Sequence, residues 1–314
     1  MTHSRIALVT ARAARGTDYD MALLLDALRS TGADVHEVDW DDDAIDWSQF
    51  DLALLRSTWD YFERLPEFLD WAARVAERTR LANPLAVLRW NTDKHYLAEL
   101  ARAGVPVVPS TFLEPDDDVA AMLDVVLNAH PDAHDFVVKP AVGAGSRDAQ
   151  RHARDDCRDM IAHVRRLLDA RRSVLLQPYL DRVDEHGETA LLFFDGVFSH
   201  AIRKGPLLKR GEGATTGLYA KETITPRTPS PDELEVAQRA LAAIPLAGPL
   251  LYARVDLIHD DDGAPRLLEL ELVEPSVFVA HAEGAAERFV RAILQRARTL
   301  EDLRASPAKK PGTA

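Results

Sequence analysis

The chain carries a single cysteine, Cys157, in 314 residues. An internal disulfide and a cysteine-based zinc centre are excluded, and this cysteine usage fits a reducing compartment. Cys157 itself reads as an incidental helix residue. Long apolar runs are also missing. No stretch approaches the ~20 apolar residues of a membrane span, and the opening MTHSRIALVTARAARG holds too short an apolar run for a secretory leader. These absences point to a cytoplasmic protein. Positive charge is scarce: 38 Lys and Arg stand against 51 Asp and Glu, for a formal net charge of −13. Nucleic acid and anionic membranes are disfavoured as partners, because both need a positive field. The turn after the first apolar run, ARAARGTD, lacks the glycine spacing of a dinucleotide fingerprint. The 11 histidines are scattered without an H-E-x-x-H pair, so the sequence gives a catalytic zinc no support.

What is present is an ordinary globular composition, 46% hydrophobic and 28% charged, over a length that suits two or three lobes. Residues 5–10, 34–38 and 51–55 read as strands, and the segments from Met21 to Leu28 and over 66–80 as helices. That alternation predicts a small parallel α/β sheet, ending at Asn83-Pro84. A second part opens with NTDKHYLAELARAGVPVVP, a helix capped by Asn91 or Thr92 and stopped at Gly104, followed by a strand over 107–113. A helix over 119–129, a strand over 136–139, a glycine loop, a helix over 160–168 and a strand over 174–177 follow. Strands over 189–194 and 197–202 flank the tight-turn pair Asp195-Gly196. Residues 205–222 read as a mobile loop, with helices expected over 232–243 and 283–297 and a disordered tail from 306.

Two segments carry chemistry. In YARVDLIHDDDGAPRLLELELVEPS, two β-prone runs flank an acidic turn. Folding about Asp262 and Gly263 sets Asp256 opposite Glu269, with Glu271 on the same face by the period of two. Carboxylates that close destabilise the strand pair unless a cation stands between them, and hard oxygen ligands suit Mg²⁺. An acidic, solvent-facing edge is the plain alternative. In FVVKPAVGAGSRD, Lys139 ends an apolar strand and Gly143, Gly145 and Ser146 form the next loop. Such a loop brings backbone N–H groups close to phosphate. In isolation the motif reads more readily as a plain β-turn, since it is neither G-x-x-x-x-G-K-[ST] nor G-x-G-x-x-G.

The ordered set NTDKHYLAEL, VVKPAVGAGS, LLQPYLD, FFDGVFSHAIRK, YARVDLI and LLELELVEPS resembles the ATP-grasp superfamily of carboxylate–amine ligases, in its glutathione-synthetase-like branch. The resemblance spans nearly the whole chain. It implies an ATP-grasp fold, with an N-terminal parallel-sheet α/β lobe (1–84) and two lobes clasping ATP (85–176 and 177–304), before a tail (305–314). It also implies that Lys94 and Lys139 hold the ATP phosphates under the loop of Gly143, Gly145 and Ser146. Gln177, Tyr179 and Leu180 match the adenine segment, and Asp184 or Glu188 the ribose acid. Asp256, Glu269 and Glu271 match the ligands of two Mg²⁺ ions, although many relatives have Asn where Glu271 stands. Arg203 and Arg254 match basic positions near the transferred phosphoryl group and the substrate carboxylate, and Lys204, Lys209 and Arg210 offer further cations. In the first lobe Arg56, in RSTWDY, is the candidate for recognising a small amino-acid-like substrate. This element, with WNTDK and ELELVEPS, looks like the cyclo-ligases that close O-ureido-D-serine to D-cycloserine with release of ADP, phosphate, carbon dioxide and ammonia. Intermolecular amino-acid or peptide ligation and a non-catalytic nucleotide-binding regulator are the alternatives, and oligomeric state is not legible.

Overall fold

The computed structural model describes residues 4–214, 223–246, 248 and 250–298. The expected tail and residues 215–222 of the expected mobile loop lie outside the described residues.

The apolar run of β1 (Arg5–Thr10) is buried on both faces, as a parallel strand flanked by helices must be. It is followed by α1 (Met21–Ser30), β2 (Asp34–Asp39), β3 (Leu52–Ser57), α2 (Leu65–Ala76) and β4 (Arg80–Ala82). The strands pair in parallel in the order β2-β1-β3-β4. Alternate side chains of β1 enter different cores: Ile6 and Leu8 join Leu24 and Leu28 of α1, while Ala7 and Val9 join Phe68 and Trp71 of α2.

Past Asn83-Pro84 come α3 (Leu85–Asn91) and α4 (Tyr96–Arg102), where one helix was expected to start at Asn91 or Thr92. Thr92 instead caps the C-terminus of α3, and the backbone N–H of Lys94 donates to the Ala141 carbonyl at 2.9 Å, holding a turn between the two helices. Next are β5 (Thr111–Leu113), α5 (Val119–Ala129), β6 (Asp135–Pro140), β7 (Gln150–Ala153), α6 (Cys157–Asp169) and β8 (Val174–Pro178). The strand expected from 107 begins only at Thr111, because Val107 bridges to Leu267 in another sheet. The second sheet is antiparallel, in the order β5-β8-β6-β7. Phe136, Val138, Val174 and Leu176 bury one of its faces against α5 and α6, leaving Val137, Lys139 and Gln177 on the other.

The remainder comprises α7 (Val183–His186), β9 (Glu188–Phe194), β10 (Val197–Lys204), β11 (Ile224–Arg227), α8 (Pro231–Ala242), β12 (Tyr252–His259), β13 (Pro265–Glu271) and α9 (Ala285–Ala297). Its sheet is antiparallel, in the order β11-β10-β9-β12-β13. Asp195 and Gly196 have φ of 49° and 78°, the left-handed pair a two-residue hairpin requires. Ser230 and Glu233 form a reciprocal capping box that starts α8. Helix α9 packs on α1, and its Phe289 and Ile293 complete the core under β1, so the end of the chain closes its first lobe. Among the described residues no helix is long and apolar enough to cross a membrane.

Candidate active site

A cavity of about 560 Å³ lies between the open face of the second sheet, the inward face of the third, and the first-lobe loops that carry Thr17, Asp20, Trp59 and Tyr61. Its acidic wall is the β12–β13 pair. Asp256 stands directly opposite Glu269 and Arg254 opposite Glu271, the register expected from a turn at Asp262-Gly263, with a shift beyond Asp256. Two asparagines fix this wall. Asn91 donates to the Leu270 carbonyl at 2.7 Å and accepts from the Leu272 N–H at 2.8 Å, clamping the peptides on either side of Glu271. Asn83 donates to the carbonyls of Tyr252 and Leu272 and accepts from the N–H of Leu251.

Each carboxylate of that wall meets a cation. Lys94 Nζ is 2.9 Å from Glu269 Oε1 and donates to the Gly143 carbonyl at 3.1 Å. Lys204 Nζ is 2.8 Å from Asp256 Oδ2 and also contacts Glu188. Arg254 reaches Asp256 Oδ2 at 2.8 Å and contacts Glu271. Burial pushes Asp256 and Glu269 toward the neutral acid, but Arg254 and Lys204 at Asp256, and Lys94 at Glu269, hold both below the usual carboxylate range. Burial dominates at Glu271, which rises to about 7 against the pull of Arg254, and more so at Glu274, which lies well above its ordinary value. Burial likewise opposes the Lys94 charge, yet Glu269 outweighs it and raises the pKa; Lys139 falls to about 8 because burial prevails there.

At the other side, Gln177, Tyr179 and Leu180 leave β8 along the cavity edge, and Gly143, Gly145 and Ser146 form the loop after Lys139. Gly145 and Ser146 both have positive φ, 61° and 58°, which turns successive backbone amides in a tight loop. Of the two ribose candidates, Glu188 lines the cavity. Asp184 is not among the described lining residues; it accepts from the Tyr179 hydroxyl at 2.5 Å and from Arg151. Pro206, Leu207 and Leu208 of the segment after β10 also line the cavity, and Arg210 Nε donates to Asp135 Oδ2 at 2.6 Å across its rim.

Besides Asp184, two expected site residues fall outside the described lining. Arg203 donates to the carbonyls of His186 and Glu185 and is not among the described lining residues. Strand alternation explains this, since it is Lys204, one residue on, that faces the cavity. Arg56 is wholly buried and likewise absent from the lining: Nη1 donates to the Pro275 carbonyl at 2.8 Å, and Nη2 lies 3.3 Å from Asp18 and 3.5 Å from Asp20. It holds loops together beneath the cavity. Sequence reasoning placed Trp59 and Tyr61 in the RSTWDY cluster at the ligand edge of the first lobe, and missed Glu274, Asp20 and Phe278 as lining residues. Only the strand-end position of RSTWDY hinted at this side of the site.

The donor set fits magnesium by its chemistry: three carboxylates on paired strands, Asp256 buried and Glu269 and Glu271 partly exposed to the cavity, offer only oxygen. Their present partners are Lys94, Lys204 and Arg254, which metal binding would have to loosen. Among the described residues the one trio of His, Cys, Asp or Glu with ligand atoms all within 4.8 Å is His186, Glu233 and His259. Sequence scatter had concealed this trio. Arg227 already sits there, against His186 and 4.0 Å from Glu233, so a cation is in place.

Comparison with known proteins follows the same lines. The structure of the ATP-grasp ligase PsnB, complexed with a phosphomimetic variant of its minimal precursor, Mg and ADP, matches with TM-score 0.63 at 19% identity, over 93% of this chain and 98% of that one. The fold is therefore that of the ATP-grasp ligases. The crystal structure of D-cycloserine synthetase DcsG matches far more closely, with TM-score 0.88 and 42% identity over 94% of this chain and 100% of that one. Cycloserine biosynthesis protein DcsG of Streptomyces lavendulae is 43% identical over 295 residues, 93% of this chain and 98% of the relative. A family model described as D-cycloserine synthetase DcsG, N-terminal domain, matches residues 6–83. The chain belongs to the DcsG family of D-cycloserine synthetases.

Proposed function

We propose that this protein is an ADP-forming cyclo-ligase that converts O-ureido-D-serine to D-cycloserine. The observation that carries the reading is the cavity itself, in which two lysines under a glycine loop face three carboxylates on paired strands. Lys94 and Lys139 would hold the phosphates with the amides of the 143–146 loop. Gln177, Tyr179 and Leu180 would take adenine, and Glu188 the ribose. Asp256, Glu269 and Glu271 would hold two magnesium ions. Mg·ATP supplies the phosphoryl group that gives the substrate carboxylate a good leaving group, and the charge neutralisation that this transfer requires.

The chain's own residues then act by position and charge. If Asp256 and Glu271 were to hold a metal, Arg254 would be positioned to meet the negative charge on the carboxyl being activated. Lys204, beside Asp256 and Glu188, would add a second cation there. Pro206, Leu207 and Leu208 line the cavity and would keep water from the activated carboxyl, which it would otherwise hydrolyse. The nitrogen that displaces phosphate would belong to the same substrate molecule, so one organic substrate suffices; the carbamoyl group on that nitrogen leaves by hydrolysis of its C–N bond with one water, as carbon dioxide and ammonia. No protein nucleophile is required.

The test is ADP and phosphate release with Mg·ATP and O-ureido-D-serine as sole substrate, with D-cycloserine followed by mass spectrometry. Ring product from that single substrate supports the cyclisation; turnover only with an added amine leaves an intermolecular ligase. Glu271→Gln is expected to abolish phosphate release while ATP binding by calorimetry persists, and normal turnover in that variant removes Glu271 from the metal site.

A further inference from the structure

Six carboxylates line the cavity: Asp20, Glu188, Asp256, Glu269, Glu271 and Glu274. Five have partners. Asp20 accepts from the backbone N–H groups of Val277, Phe278 and Val279, Glu188 and Asp256 meet Lys204, Glu269 meets Lys94, and Glu271 meets Arg254. Glu274 is only 9% exposed, and among the described residues its carboxylate has neither a hydrogen bond nor an ion pair. Burial favours its neutral form against the more distant pull of Lys94 and Arg254, and a cation arriving beside it would favour the carboxylate.

Two aromatic residues, Trp59 and Tyr61, line the same cavity. Trp59 Nε1 donates to the backbone carbonyl of Glu274 at 3.2 Å, which seats the indole against the segment carrying this side chain. Tyr61 also lines the cavity, and of the charges that act on its phenol Glu274 is the strongest. Aromatic faces beside a carboxylate attract an ammonium group by their negative quadrupole. Lys139 is the complementary case, a lining lysine that among the described residues has no ion pair or hydrogen bond, on the side where the phosphates are proposed.

We propose that Glu274, with the rings of Trp59 and Tyr61, forms the subsite that receives the α-ammonium group of the substrate. This inference rests on the proposed function only in taking the substrate to be an amino acid. The ammonium would be held here while the adjacent carboxylate points to Arg254, so the enzyme would distinguish amino acids from their desamino counterparts. Such a contact, a hydrogen bond between charged groups, corresponds to roughly 10- to 100-fold in affinity.

The experiment compares wild type, Glu274→Gln and Glu274→Asp with two ligands: O-ureido-D-serine and the analogue in which hydrogen replaces the α-amino group. Both are titrated calorimetrically with magnesium and a non-hydrolysable ATP analogue, and both are assayed for phosphate release. Wild type should favour the amino ligand by roughly 10- to 100-fold. Glu274→Gln should lose most of that preference through a raised KM, with the KM for ATP within about twofold of wild type, and Glu274→Asp should recover part of it. Equal binding of the two ligands by wild type, or an unchanged preference in Glu274→Gln, overturns the assignment. So does a raised magnesium requirement in Glu274→Gln without loss of preference, which makes Glu274 a metal ligand. Retained preference in binding without ring formation refutes the cyclisation and leaves the ammonium subsite standing.

Discussion

A guanidinium with no exposed surface needs compensation, and Arg56 obtains it at Nη1 and Nη2 from the Pro275 carbonyl, Asp18 and Asp20, while its buried Nε has no hydrogen-bond partner among the described residues. The arrangement reaches the cavity indirectly. Asp20 uses its other contacts to bind three consecutive amides, from Val277 to Val279, and Phe278 among them holds a left-handed φ of 49°. Arg56 thus positions the segment that follows Glu274 rather than touching the cavity itself. Arg56→Ala leaves two buried carboxylates without their cation and should cost about 3–5 kcal/mol, the range for breaking a buried ion pair from one side. The measurement is a thermal or urea unfolding curve alongside steady-state kinetics. Lost stability is the expected outcome; a raised substrate KM with an unchanged melting temperature would return Arg56 to substrate recognition.

Strand parity decides much at the level of elements. The period of two placed Asp256, Glu269 and Glu271 correctly on one face because their hairpin has a legible turn. At β10 the resemblance, not the period of two, selected Arg203, while the sheet turns Lys204 inward. The small parallel sheet and the Asp195-Gly196 hairpin were readable from apolar runs and turn residues. Short β4, β7 and β11, with 3, 4 and 4 residues, were not, since runs of that length are too brief to show a period of two. The break between α3 and α4 was hidden because a backbone bond to Ala141, distant in sequence, holds it. Gly187 shows the limit in another form. Its φ is +75°, and an added Cβ would lie 2.5 Å from the Lys204 carbonyl and 2.7 Å from Arg203 Nε. Glycine is required both for the turn into β9 and for the close approach of β10. Gly187→Ala should therefore cost at least about 1–3 kcal/mol and shift the Lys204–Glu188 pair. A fall in melting temperature together with weaker ATP binding is expected, and wild-type values for both would show that the β9–β10 junction tolerates a side chain.

At the scale of the whole molecule, stability responds to pH through groups of opposite sign. Burial lowers the pKa of His130, His152, His186, His200 and His259, and takes His163 from 6.5 to about 4. The unfolded chain binds more protons than the native one between about pH 4 and 6.5 at these sites, so their contribution is present above the unfolded pKa and lost as pH falls. Buried acids with raised values, Asp18, Glu271 and Glu274, act in the reverse direction, since there the native state holds the proton longer. The two sets partly cancel in wild type, and a difference between proteins is needed to separate them. His163 suits this, because its Nδ1 lies 3.0 Å from His152 Nε2 between α6 and β7, remote from the carboxylate wall, with Asp148 and Arg166 as the other charges acting on it. The variant His163→Asn removes one titrating ring and leaves the acids in place. Between pH 7.5 and 5.5 wild type should lose about 1 kcal/mol more stability than the variant, the linkage expected from one such shift. Urea unfolding at the two pH values checks it. Parallel losses in the two proteins would mean that His163 takes up its proton in the folded chain, and that the pair between α6 and β7 opens to water before the molecule unfolds.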